Sequence, residues 1–155
     1  MPDHSFTITL SNNRTEKEGI EYLRAHETGF FYVDNPTRKR ILDLLGYPHT
    51  YVRAFDMVYI PRFVGQVLTD EVIEANLDEI ILVELKVTKK YLPENPKGFF
   101  FGATQNEFKF GKRLREKFRF CFISLHERGS SHALLTIAEL ESRIRTRRIQ
   151  YQINL

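Results

Sequence analysis

The chain has no tryptophan and only one cysteine, and its glycines and prolines do not gather into a linker. A single cysteine excludes a disulfide within the chain. With no CxxC pair and five scattered histidines, a zinc site of the thiolate–imidazole kind lacks its ligands. No apolar stretch approaches membrane-spanning length and no apolar leader is present, so the expected location is the cytoplasm. Repeats and low-complexity tracts are also missing, and 155 residues are expected to form one domain over 1–155. A Gly-rich phosphate loop is not found, which argues against an enzyme acting on a small phosphorylated molecule.

What remains is ordinary for a globular protein: 42% hydrophobic and 28% charged residues, which excludes intrinsic disorder. Thirteen Phe and seven Tyr supply an aromatic core or an aromatic surface. Lys and Arg outnumber Asp and Glu by 23 to 20, so the net charge of +3 permits a polyanionic partner without demanding one. The basic residues nevertheless cluster, at Arg38-Lys39-Arg40, from Lys109 through Lys112 and Arg113 to Arg119, and from Arg143 to Arg148. Each cluster alone would pass for a solvated helix face; three of them point towards nucleic acid. Cys121, inside Phe118-Arg-Phe-Cys-Phe-Ile, is expected to be a buried structural thiol.

Periodicity and capping signals interleave helices with strands. Phe6 to Leu10 alternates weakly as a strand. Thr15 and Glu18 have capping-box spacing ahead of a helix that ends before Gly29. A strand at 30–33 precedes a helix that opens at Asn35-Pro36 and stops at Gly46. Tyr51 to Ile60 is rich in β-formers, Thr69 to Ala75 suits a short helix, and Ile80 to Val87 is a strand apolar on both faces. After the Pro/Gly loop 91–98, Phe99–Phe101 is expected as a short strand and as core rather than a base-stacking platform. Thr104 with Glu107 starts a basic helix to about Lys117, Phe118–Leu125 forms a strand, Thr136 with Glu139 caps another helix, and 149–155 alternates strictly as a last strand. The class is therefore α/β (α+β) with a mixed sheet flanked by helices.

Two charges break the most apolar strand. Glu84 and Lys86, two residues apart, project from one side of it. Burying them is costly unless they pair or bind something. A carboxylate that holds a divalent cation, beside an amine that handles water or phosphate, accounts for both at once. Magnesium needs only one or two carboxylates and keeps its waters. Asp56, among the apolar residues of Ala54-Phe-Asp-Met-Val58, is the expected second acid, with Asp78 or Glu79 as the alternative. The same E-x-K spacing recurs at Glu107-Phe108-Lys109, where a helical, solvated setting makes it unremarkable.

Asp56 followed by Glu84-Leu85-Lys86 on a hydrophobic strand resembles the PD-(D/E)xK nuclease superfamily. More closely, Val83-Glu-Leu-Lys-Val-Thr88, Phe100-Phe-Gly-Ala-Thr-Gln-Asn-Glu107 and the strand Phe118–Leu125 are similar to the No Vein-type nuclease-like domain, over about residues 50–126. Phe55 stands where the superfamily has proline. The resemblance implies a restriction-endonuclease-like fold and a Mg2+-dependent deoxyribonuclease, with Mn2+ as a substitute. Asp56, Glu84 and Leu85 would be the metal-binding residues. Lys86 would orient or deprotonate the attacking water, and Gln105 and Glu107 would lie near the metal or phosphate. Glu18 or Glu21 would supply a further acid. Duplex DNA, gripped by Arg38, Lys39, Arg40, Lys109, Lys112 and Arg113, is the expected substrate, a homodimer would cut both strands, and defence against foreign DNA is the implied role. The rival reading is a catalytically inactive nuclease-fold module that binds nucleic acid or a protein, with Glu84 and Lys86 as an internal salt bridge.

Overall fold

The computed structural model describes residues 2–155, with side chains from Arg14 onward. Its centre is the pair of strands with the strongest apolar patterns, β3 (Ile81–Thr88) and β4 (Phe118–Ser124), which lie side by side and parallel. A parallel pair needs a crossover, and helix α4 (Gln105–Leu114) lies on it. β1 (Phe30–Tyr32), β2 (Met57–Tyr59) and β5 (Ser131–Leu135) complete a mixed five-stranded sheet in the order β1-β2-β3-β4-β5, every other pairing being antiparallel. With helices α1 (Pro2–His26), α2 (Asn35–Leu45), α3 (Asp70–Ala75) and α5 (Ile137–Arg143), this is the α/β class expected from the interleaved pattern.

Both sheet faces are covered, and alternation sorts the side chains between them. Leu82, Phe118, Phe120, Phe122 and Leu135 form one core with Ile41 and Leu42 of α2, Ile73 of α3, Phe110 of α4 and Leu140 of α5. Met57, Val83, Leu85, Cys121 and Ile123 face the other way, with Leu23 of α1. Cys121 is a buried free thiol, as expected, and burial pushes its pKa up to about 12. The caps at Thr104 and Thr136 and the stop at Gly46, in the left-handed region, follow the sequence signals, and Asp34 and Thr69 also accept from the first turns of their helices. Among the described residues no helix is long and apolar enough to cross a membrane.

Several elements differ from expectation. Thr15 and Glu18 lie within α1 instead of at its start; Phe6–Leu10 falls inside the same helix, where side chains lie outside the described residues. The strand expected over Tyr51–Ile60 shrinks to β2. Ahead of it Tyr51 stacks on Phe110 at 4.4 Å and Phe55 is fully buried, so packing onto α4 overrides β-propensity. Phe99–Phe101 forms no strand, and neither does 149–155, whose Ile149, Tyr151 and Ile153 are 80%, 79% and 76% exposed. Alternation makes a strand only where a sheet edge receives it. β5, in contrast, was not among the expected strands and forms where β4 offers such an edge.

Gly19 lets α1 approach the sheet: a Cβ built there lies 2.6 Å from Val87 Cγ2. Gly19→Ala is therefore expected to destabilise the fold by about 1–3 kcal/mol, opposite in sign to the usual gain of about 1 kcal/mol from Gly→Ala inside a helix. Urea unfolding of the two proteins measures the difference, and a stabilised variant would refute the close approach.

Candidate functional site

Glu84 and Lys86 alternate with Val83, Leu85 and Val87 along β3, so they point away from α1 and towards α4. α4 brings Glu107 to the same place. Its N-cap, Thr104, accepts from the Glu107 amide at 3.1 Å and donates through Oγ1 to Glu107 Oε2 at 3.0 Å, which fixes the carboxylate. Lys86 Nζ then donates to Glu107 Oε1 at 2.9 Å and to the Gly102 carbonyl at 2.7 Å, and lies 3.2 Å from Glu84 Oε2. An ammonium has three N–H donors, and three acceptors surround this one. The side chains of Glu84, Lys86 and Glu107 are only 8%, 14% and 5% exposed.

Asp56 enters from the other side of β3. β2 pairs Met57 with Val83 and goes no further, although the Asp56 amide still donates to the Val83 carbonyl at 2.8 Å. Past that point the Asp56 side chain replaces the missing strand: its Oδ2 accepts from the Leu85 amide at 2.9 Å. The N–H and C=O of a strand residue point to the same side, so the Leu85 carbonyl faces this open edge too. α1 contributes Glu16, on the helical stripe that also carries Gly19, Ile20 and Leu23. Together Thr15, Glu16, Asp56, Glu84, Lys86 and the segment Phe99–Gly102 line a cleft of about 380 Å3.

The cleft holds more carboxylates than its ammonium can neutralise. Burial, and then the neighbouring Asp56 carboxylate, raise the Glu84 pKa to about 11, against a smaller opposing pull from Lys86. Its Oε1 is buried and has no hydrogen-bond partner among the described residues. Glu16 is also raised, by burial and then by the Asp56 charge. Burial alone would lower Lys86, but Glu84 and Glu107 outweigh it and hold the amine above its ordinary value, firmly as an ammonium. Such a site takes up positive charge, as protons or as a metal ion. Among the described residues no group of three or more His, Cys, Asp or Glu side chains could hold a metal. Asp56, the orphaned Oε1 of Glu84 and the Leu85 carbonyl do fit a hard cation that keeps several waters, with Glu16 close by.

The structure thus brings Asp56, Glu84 and Lys86 to one cleft. Gln105 is exposed on the first turn of α4 and does not line it; Glu107, two residues on, is the residue that reaches Lys86. Asp78 and Glu79 are exposed ahead of β3. Glu18 pairs with Lys89 and Glu21 is exposed, so α1 supplies Glu16 instead. The capping-box reading of Thr15 and Glu18 hid Glu16, although its place on the Gly19–Leu23 stripe was a usable signal.

The basic clusters divide. Arg38 is buried, with Nε donating to the Val33 carbonyl at 2.8 Å, so it holds α2 to the end of β1. Arg40 pairs with Asp70 and Glu74, Lys112 with Glu141, and Arg113 lies over the Tyr47 ring. Lys39 and Lys109 are exposed and have no ion-pair partner among the described residues.

Because Glu84 titrates higher in the fold than its unfolded value of 4.5, its neutral form stabilises fully below that pH, and the contribution is lost as pH rises towards about 11. Glu84→Gln, which mimics the neutral acid, should remove this loss. Between about pH 5 and pH 9, without divalent cations, the variant is expected to gain steadily on the native protein as pH rises, by on the order of 1 kcal/mol per pH unit at most. Denaturation midpoints across that range measure it; parallel curves would mean that Glu84 is not held as a neutral acid.

No protein-family model, no curated protein and no solved structure matches the chain, so its chemistry has to be read from these side chains alone.

Proposed function

We propose that the chain is a divalent-metal-dependent deoxyribonuclease of the PD-(D/E)xK kind. The observation that carries this reading is Glu84: a buried carboxylate with an orphaned oxygen, beside Asp56, at the edge of a cleft that Lys86 shares. A carboxylate pair of that kind is expensive without a cation and useful with one. A bound Mg2+ or Mn2+ would lower the pKa of a coordinated water and offset charge developing on a phosphodiester in its transition state.

The chain's own groups then take distinct parts. Asp56 and Glu84, with the Leu85 carbonyl, hold the ion. Lys86, kept as an ammonium, cannot remove a proton; it donates, orienting the attacking water or meeting the phosphate oxygens. Glu16, whose pKa is raised, is placed to accept the proton that the water gives up. Glu107 and Gly102 set the position of Lys86. Of the six cations expected to grip DNA, Lys39 and Lys109 are exposed without an ion-pair partner among the described residues and so are open to its backbone, and two copies of the chain would be needed to cut both strands.

One observation favours a second reading, a module with the fold but no turnover. The ammonium of Lys86 already has an acceptor for each of its donors, and an internal ion pair needs nothing more.

Supercoiled plasmid and linear DNA incubated with the protein in Mg2+ or Mn2+ separate the two. Cleavage by the native protein, lost by about 100-fold or more in Asp56→Ala, Glu84→Ala and Lys86→Ala, is the result expected. Intact DNA in every lane, with binding retained, would leave the module reading.

A further inference from the structure

We infer that Phe100 is a stacking platform for an unpaired base, so that the strand entering the cleft is single-stranded or locally unpaired; the assignment of the cleft to nucleic acid rests on the nuclease reading above. Phe100 lines the cleft together with Asp56, Glu84 and Lys86 and is 90% exposed, whereas the fully buried Phe55, Phe110, Phe118, Phe120 and Phe122 fill the core.

Its exposure is imposed by its neighbours. Phe99 packs edge-on against Phe122 at 5.0 Å and Phe101 does the same at 5.0 Å, so the residues on either side of Phe100 are anchored to the same core ring. The segment is tied at both ends as well. The Phe99 amide donates to the Pro96 carbonyl at 2.9 Å, Gly98 takes a φ of 87° that favours glycine, and the Gly102 carbonyl accepts from Lys86. An aromatic ring held out by a fixed backbone loses little freedom when something stacks on it.

The position relative to the acids indicates what would stack. Phe100 lines the same cleft as Asp56, Glu84 and Lys86, so a phosphate drawn to a cation held there would have the ring of Phe100 beside it. A base attached next to that phosphate meets the ring only if it has left the duplex, because inside a duplex both its faces are covered by stacked neighbours. Every base has a π-face, so this contact selects strand state and leaves base sequence unread. The cleft, about 380 Å3, is at the small end of ligand pockets and matches a single nucleotide unit better than the width of a duplex.

Fluorescence anisotropy with a labelled 12-nucleotide oligothymidine and a blunt duplex of equal length tests this, with Ca2+ replacing Mg2+ so that no strand is cut. The native protein is expected to bind the single strand more tightly. Phe100→Ala should weaken that binding by roughly tenfold, Phe100→Tyr should restore it, and duplex binding should change by less than about twofold. Because Phe100 makes no core contact, circular dichroism should show all three proteins folded alike. Equal single-strand binding by native and Phe100→Ala protein would overturn the inference, as would equal losses on both substrates or no single-strand binding at all. Plasmid cleavage that ignores Phe100 would leave the nuclease reading standing without it. Phe100-dependent binding with no cleavage in Mg2+ or Mn2+ would do the reverse.

Discussion

The ammonium of Lys86 sits in the most apolar strand of the chain, and the region around it is arranged to make that charge tolerable. Its acceptors come from three places: Glu84 on β3 itself, Glu107 on α4, and the Gly102 carbonyl in the connecting segment. One side chain therefore ties the strand, the loop and the crossover helix together. Removing the Glu107 carboxylate from this buried pair costs about 3–5 kcal/mol, whereas an exposed pair such as Arg62–Glu79 contributes about 0–1 kcal/mol. The Thr104 cap belongs to the same unit, since it orients Glu107 before Lys86 meets it. Phe99 and Phe101, packed on Phe122, hold the loop that carries Gly102.

That network leaves the cleft with a surplus of negative charge, and the surplus carries the functional reading. Glu107 and Lys86 satisfy each other. Glu84, Asp56 and Glu16 then remain in a confined space, and the raised pKa values of Glu84 and Glu16 record the resulting strain. Protons relieve it, so a cation bound there would have to expel a proton and would bind more tightly as pH rises. The same carboxylates that hold Lys86 in place keep its amine above its ordinary pKa. The two readings of the chain thus share one structure and differ only in whether a cation displaces the Glu84 proton.

The sequence revealed β3 and its charges because their setting is local: an apolar run broken at positions of equal parity can be read without knowing any contact. The helix caps at Thr104 and Thr136 were legible for the same reason. Asp56 could be chosen as the second acid, but not its bond to the Leu85 amide, which depends on where β2 stops. Glu16 was missed because α1 extends well before Thr15, so the apparent cap was a point inside the helix. Arg38 looked like a surface cation within a basic triplet, and only tertiary packing shows its guanidinium turned inward to Val33. The end of the chain had a better strand pattern than β5, yet β5 forms and 149–155 does not, since an edge partner is a property of the whole sheet.

The brevity of β2 is what makes room for a site. Were β2 to continue past Met57 in register, its backbone would pair with β3 beside Leu85, and the open edge would close. An extra ladder of that kind would protect the edge better than a side chain can. Asp56 satisfies the exposed Leu85 amide with one carboxylate oxygen and has a second oxygen besides, which a backbone carbonyl lacks. A single residue therefore ends the strand pairing, caps the edge and leaves a ligand facing Glu84. Backbone pairing given up at that point becomes negative charge inside the cleft, the form of instability that a bound cation can relieve.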